Sequence, residues 1–278
     1  MISVGDTYYL KVVKYTNFGF FLEAGEIGLV LLPQKHAPKG LSVDDTIEVF
    51  LYLDSEDRPI ATTQKPKAKV GEFAYLKVLA KTEVGFFLDW GLDKDLMVPF
   101  SEQHRPMEVG NYYLVYLYLD KVDDRITASS KIDKFLDDDK PHEFEAKQAV
   151  NLIIANSTEL GFKAIINNSH WGLLYKDDVH QRLSFGQVIS GYIKNIRSDG
   201  RIDLSLQGGQ VTRDKNERLI LNLLRQENGF LAVHDKSDPQ LISKMFRMSK
   251  ASFKKTIGRL YKQKVINIEK TGIRLIDK

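Results

Sequence analysis

The sequence predicts a mainly β chain of three tandem five-stranded barrels with an α+β domain at its C-terminal end. Three observations predict it. One segment recurs at a fixed offset, the apolar pattern inside each copy has a period of two, and past Asp214 both the spacing and the charge change character.

The repeat is read directly. Thr16-Asn17-Phe18-Gly19-Phe20-Phe21-Leu22-Glu23 returns 66 residues later as Thr82-Glu83-Val84-Gly85-Phe86-Phe87-Leu88-Asp89, and Leu51-Tyr52-Leu53-Asp54 returns as Leu117-Tyr118-Leu119-Asp120. The endings Arg58-Pro59-Ile60-Ala61 and Arg125-Ile126-Thr127-Ala128 agree after one inserted residue. A more diverged third copy runs through Thr158-Glu159-Leu160-Gly161-Phe162, Gly172-Leu173-Leu174-Tyr175 and Asp199-Gly200-Arg201-Ile202-Asp203-Leu204-Ser205-Leu206. Within copy one the strands are expected at Tyr8 to Lys14, Phe18 to Glu23, Ile27 to Leu32, Thr46 to Leu53 and Ile60 to Thr63. Five short strands in some 65 residues suit a closed barrel of the OB type, because closure removes the open edges of a flat meander. The barrels are placed at 1–66, 67–135 and 147–212, and the acidic stretch 136–146, with Asp137-Asp138-Asp139-Lys140-Pro141, reads as a linker.

Residues 213–278 form the last domain. A helix with Asn216 as its cap ends at Asn228-Gly229; Asp238-Pro239 starts a second through about Arg247; Ser249 caps a third to about Gln263. Val265 to Ile268 and Ile273 to Ile276 flank a turn and read as a β-hairpin, so the order is that of a winged helix. From Asp214 on there are 15 Lys and Arg against 7 Asp and Glu, whereas residues 1–213 hold 25 against 30. A basic small domain on an acidic body points to an acidic partner such as nucleic acid.

Composition narrows the chemistry. With no cysteine there is no disulfide framework, thiolate metal site or cysteine nucleophile. Gln207-Gly208-Gly209-Gln210 lacks the Gly-Lys-Ser/Thr of a phosphate loop, and no HExxH or Ser-His-Asp order occurs. The reading is of a non-enzyme without catalytic residues, metal or cofactor. No leader pattern opens the chain and no long apolar run follows, so a cytoplasmic protein without membrane contact is expected.

Exposed rings near cations bind nucleic acid because any unpaired base can stack and Lys or Arg neutralises phosphate. Copy one offers Phe18, Phe20 and Phe21; copy two Phe86 and Phe87; copy three Phe162, Lys163, Tyr175, Lys194, Arg197 and Arg201. Alternation puts Phe18 and Phe20 on one face and Phe21 on the other unless a bulge intervenes. Trp90 and Trp171 read as packing residues. In the third helix Phe253, Ile257 and Leu260 form the core stripe, leaving Lys255, Arg259 and Lys262 opposite and Lys254 beside them. Single-stranded RNA is the expected partner, with DNA or a protein open for the winged helix, and a protein-interaction scaffold is the alternative function.

The motifs also carry a resemblance. Phe18-Gly19-Phe20-Phe21, the Gly172-Leu173-Leu174 strand and Gly200-Arg201-Ile202-Asp203-Leu204-Ser205 resemble the S-one type RNA-binding domain, whose second and third strands face RNA. The third-strand histidine frequent there is Leu31 in copy one and Val98 in copy two, with Tyr175 aromatic in copy three. Three such barrels and a winged helix resemble the conserved virulence factor B family. The resemblance implies a bacterial RNA-binding regulator of gene expression acting after transcription.

Overall fold

The computed structural model describes residues 2–138, 140–179, 181–206 and 209–276, with the side chains of 209–215 left aside. The chain divides into two compact units, Met1–Leu136 and Asp137–Lys278. The first holds two closed barrels: β1 (Thr7–Thr16), β2 (Gly19–Glu23), β3 (Leu29–Pro33), β4 (Thr46–Leu53) and β5 (Pro59–Thr62), then β6 (Phe73–Lys81), β7 (Gly85–Asp89), β8 (Leu96–Pro99), β9 (Tyr112–Leu119) and β10 (Ile126–Ser129). The second unit opens with a third barrel of β11 (Ala149–Ser157), β12 (Gly161–Ile166), β13 (His170–Tyr175), β14 (Val188–Ile196) and β15 (Ile202–Ser205). All three close in the order first, second, third, fifth, fourth strand, with the third and fifth strands parallel.

The repeated glycine is what this closure requires. A Cβ on Gly19, Gly85 or Gly161 would collide with the carbonyl oxygen of Leu32, Val98 or Leu174 on the next strand, so only glycine lets the second and third strands meet there. Each first strand is bulged, between Val12 and Lys14, Val78 and Ala80, or Ile154 and Asn156. In the first barrel Phe18 stands in the turn ahead of Gly19, whose φ is +143°, and is not in the strand with Phe20. Phe18 is therefore 78% exposed and Phe20 6%, so the two do not share a face.

The register also corrects the third-strand alignment. Gly161 pairs with Tyr175 as Gly19 does with Pro33 and Gly85 with Pro99. Tyr175 thus replaces those prolines, and the position of Leu31 is held by Met97 and Leu173.

The acidic stretch is no free linker where it is described. The Asp137 N–H donates to the Ser169 carbonyl at 2.7 Å, the Asp138 carboxylate accepts the Trp171 N–H at 2.7 Å, and Phe144 packs on the third core. It is a strap on the third barrel, because the Asp138 carboxylate satisfies a strand amide and the Phe144 ring packs on the third core. Asp139 lies outside the described residues.

The C-terminal domain contains α1 (Gly209–Gln226), β16 (Phe230–Leu231), α2 (Pro239–Phe246), α3 (Lys250–Lys262), β17 (Ile266–Ile268) and β18 (Ile273–Leu275). Asp238 caps α2 by accepting from Gln240 and Leu241, and Ser249 caps α3 by accepting from Ser252. The first helix begins at Gly209, ahead of the expected cap Asn216, and β16 adds a third strand to the hairpin. Among the described residues no helix is long and apolar enough to cross a membrane.

Candidate nucleic-acid interface

Shared register allows position-by-position comparison of the barrels. Phe20, Phe86 and Phe162 are equivalent, as are Phe21, Phe87 and Lys163, and Arg58, Arg125 and Arg201 each stand just before the fifth strand.

The first set is turned inward. Phe20 and Phe86, 6% and 4% exposed, belong to the cores of their barrels and cannot stack a base; Phe162 is half-buried against the third core. Alternation along the second strand from the close-packed glycine fixes this orientation. Phe21 and Phe87 lie half-buried on the outer side of the same strands. Only Phe18, among the aromatic candidates, is fully presented to solvent.

In the third barrel an open groove of about 750 Å³ runs between β12, β13 and the β14–β15 turn. Lys163 enters it from β12 with its ammonium 4.0 Å from the centre of the Trp171 ring. Arg201 enters from the turn, its side chain 77% exposed and its nearest carboxylate, Asp199, at 3.6 Å. Arg197 is anchored instead: it donates to Asp203 at 2.7 and 3.0 Å and to the Tyr175 hydroxyl, and Asp203 holds its guanidinium pKa above the ordinary value. Lys194 is paired with Asp178 at 2.5 Å. Of the four expected cations, Lys163, Arg197 and Arg201 thus line the groove with the Trp171 indole, Arg197 tied down by Asp203, while Lys194 is not part of its lining. Trp171, read from sequence as packing, is the ring the sequence underrated; Lys163 two strand positions from Gly161 was the legible signal.

The equivalent arginines of the other barrels are engaged. Arg58 is held by Asp54 at 2.8 and 2.9 Å and by Glu56 at 2.9 Å. Arg125 is held by Asp57 of the first barrel and by Asp123 at 3.4 Å.

On α3, Phe253, Ile257 and Leu260 are buried, and Lys254, Lys255 and Lys262 are exposed with no ion pair among the described residues. Arg259 departs from this face, since it pairs with Glu217 of α1 at 3.1 Å and is 34% exposed. It is a brace between helices more than a free cation.

Comparison with known proteins fits this architecture. Residues 4–64 and 70–131 match the S1 domain, and residues 218–275 match the CvfB-like winged helix domain. The third barrel lies between these stretches and has the same closed topology. The chain is 29% identical over 296 residues to Conserved virulence factor B of Staphylococcus aureus, covering 99% of this chain and 95% of that protein. It is 26% identical over 268 residues to the uncharacterized protein YitL of Bacillus subtilis, covering 93% and 89%. A solved multidomain protein with nucleic acid binding domains from Streptococcus pneumoniae aligns over 98% of each chain at 22% identity and a TM-score of 0.42. Tandem S1 barrels carrying a winged helix define a multidomain protein of the nucleic-acid-binding class. Within that class, the chain carries the S1 and CvfB-like winged helix domains and is similar over nearly its whole length to proteins named Conserved virulence factor B.

Proposed function

We propose that the chain is a non-catalytic cytoplasmic RNA-binding protein that acts on gene expression after transcription. Single-stranded RNA is held in the third-barrel groove, and the basic face of α3 adds phosphate contacts. The observation that carries this reading is the pairing of Lys163 with the Trp171 ring beside the exposed Arg201, a stacking platform flanked by two cations. Stacking requires unpaired bases, so single strands are preferred to duplex. The family relatives named Conserved virulence factor B support a regulatory role.

Fluorescence titration of the full chain against single-stranded and duplex RNA tests it. The single strand is expected to bind more tightly, and Trp171→Ala to cost about 1–3 kcal/mol of that affinity. Equal affinity for both forms, or none for either, would leave a protein-docking scaffold as the better reading.

A further inference from the structure

Within the first unit the two barrels are clamped by reciprocal carboxylates. Asp93 of the second barrel accepts from Lys35, from His36 Nε2 at 3.1 Å and from Gln64 at 3.2 Å, all of the first. In the other direction Asp57 of the first barrel accepts from Lys94 at 3.2 Å and from Arg125, both of the second. The two ends differ in what surrounds them. The Asp57 end borders a cavity of about 280 Å³ whose lining includes Asp57 itself with Val84, Phe87, Trp90, Lys94 and Arg125.

That cavity occupies in the second barrel the ground that the open groove occupies in the third. Arg125 is the equivalent of Arg201, and Phe87 of Lys163. Asp57, Asp124 and Gly200 each precede the arginine of their barrel, with φ of +60°, +54° and +81°. Of these three turn residues, it is Asp57 that carries a carboxylate to a neighbouring barrel. A carboxylate held between a guanidinium and an ammonium takes the place of an anionic oxygen, and Lys94 is further oriented by donating to the Asp54 carbonyl at 2.6 Å. Asp95 also lines the cavity and Asp123 borders Arg125, so the site is for one anion of limited charge.

We infer that the second barrel holds a latent phosphate site, formed by Arg125 and Lys94 beside the Phe87 and Trp90 rings, and that Asp57 of the first barrel closes it by standing in for the phosphate. A phosphodiester of nucleic acid and a free polyphosphate share the chemistry recognised; the first source rests on the RNA reading above. Opening the Asp57 end would give the protein a second anion-binding barrel.

The chain's only two tryptophans make the test direct, since Trp171→Phe leaves Trp90 as the sole reporter. In that background Trp90 emission is followed against inorganic tripolyphosphate and against a short oligouridylate. Asp57→Asn removes the charge and keeps a residue that tolerates the left-handed turn. It is expected to bind both probes about five- to tenfold more tightly than its parent, the scale of one charge-assisted contact. Adding Arg125→Gln should cancel the gain, and Asp93→Asn, which cuts the same clamp without touching Lys94 or Arg125, should show none. Asp57→Gly, which copies Gly200, is the second variant should Asp57→Asn melt early. Unchanged affinity for tripolyphosphate, an equal gain in Asp93→Asn, or failure of both Asp57 variants to fold would overturn the proposal. A gain for tripolyphosphate without one for oligouridylate would preserve the latent site and assign it to free polyphosphate; the RNA reading itself stands or falls on the titration of the unsubstituted chain, which keeps Trp171.

Discussion

The second and third barrels share a strand order, a bulged first strand, a turn glycine and an arginine before the fifth strand, yet present opposite surfaces. In the second, Arg125 is tied to a carboxylate and Trp90 is 3% exposed, with its indole N–H donating to the Lys94 carbonyl at 2.6 Å. In the third, Arg201 is exposed and Trp171 forms the wall of a groove. A barrel of this kind is therefore a frame whose binding capacity is decided by a few side chains and by what lies against them. A repeat in sequence is no guarantee of a repeated site.

The largest expected effect tests the part of the comparison that concerns the core. Phe86 and Phe20 fill their barrels, so Phe86→Ala is expected to cost about 3–5 kcal/mol of stability through the cavity it leaves. Phe18→Ala, at a solvent-exposed turn, should stay within about 0.5 kcal/mol. Urea unfolding followed by Trp90 emission in the Trp171→Phe background measures both. A mild Phe86→Ala would mean that the ring is available to ligand and that the inward face has been assigned wrongly.

The same residues show what could be read without coordinates. The barrels were legible because glycine, alternation and turn chemistry are local signals that recur, and α2 and α3 because Asp238-Pro239 and Ser249 are caps of known geometry. The phenylalanine faces were not, since Phe18 stands in a turn and the alternation begins only at β2, where Phe20 points in and Phe21 out. Pairs such as Arg125 with Asp57 or His36 with Asp93 join residues 68 and 57 positions apart, and nothing in local sequence announces them. For the same reason the strap over the third barrel read as a linker: an acidic, proline-containing run looks solvated until its carboxylate finds the Trp171 amide. The start of α1 at Gly209 was missed because Asn216 offers a cap signal inside a helix that does not use it as one.

Loosely paired and tightly held cations give a sharper contrast of intermediate size. Arg201→Ala should lower the slope of log affinity against log salt by about 0.7, the value of one released counterion on a single strand, while Arg58→Ala should leave it unchanged. On the winged helix, charge reversal of Lys254, Lys255 and Lys262 together should reduce both affinity and slope without unfolding the domain, because none of the three is in an ion pair among the described residues. Arg259 is left in place, since its loss would free Glu217 and confound stability with binding. Identical slopes for the Arg201 and Arg58 variants would erase the distinction between the barrels.

The smallest effect concerns acid. The Arg125 hydrogen bond holds the Asp57 carboxyl below its ordinary pKa, and the Lys35 hydrogen bond does the same for Asp93. A carboxyl whose pKa is depressed in the folded state binds its proton less readily there than in the unfolded chain. Its contribution to stability is therefore present above the unfolded value of about 3.9 and is lost as pH falls through the folded value. Asp57→Asn/Asp93→Asn should accordingly melt below its parent at pH 6, with the gap narrowing towards pH 3. Each pair is solvent-exposed and screened, so the gap is modest even at low salt and shrinks further as salt is added. Thermal melting followed by Trp90 emission in the Trp171→Phe background reads the first unit. A gap that stays constant from pH 6 to pH 3 would show that the two barrels are held by the shared packing of Phe50, Tyr52 and Trp90 and that the carboxylates set only which face of the second barrel is covered.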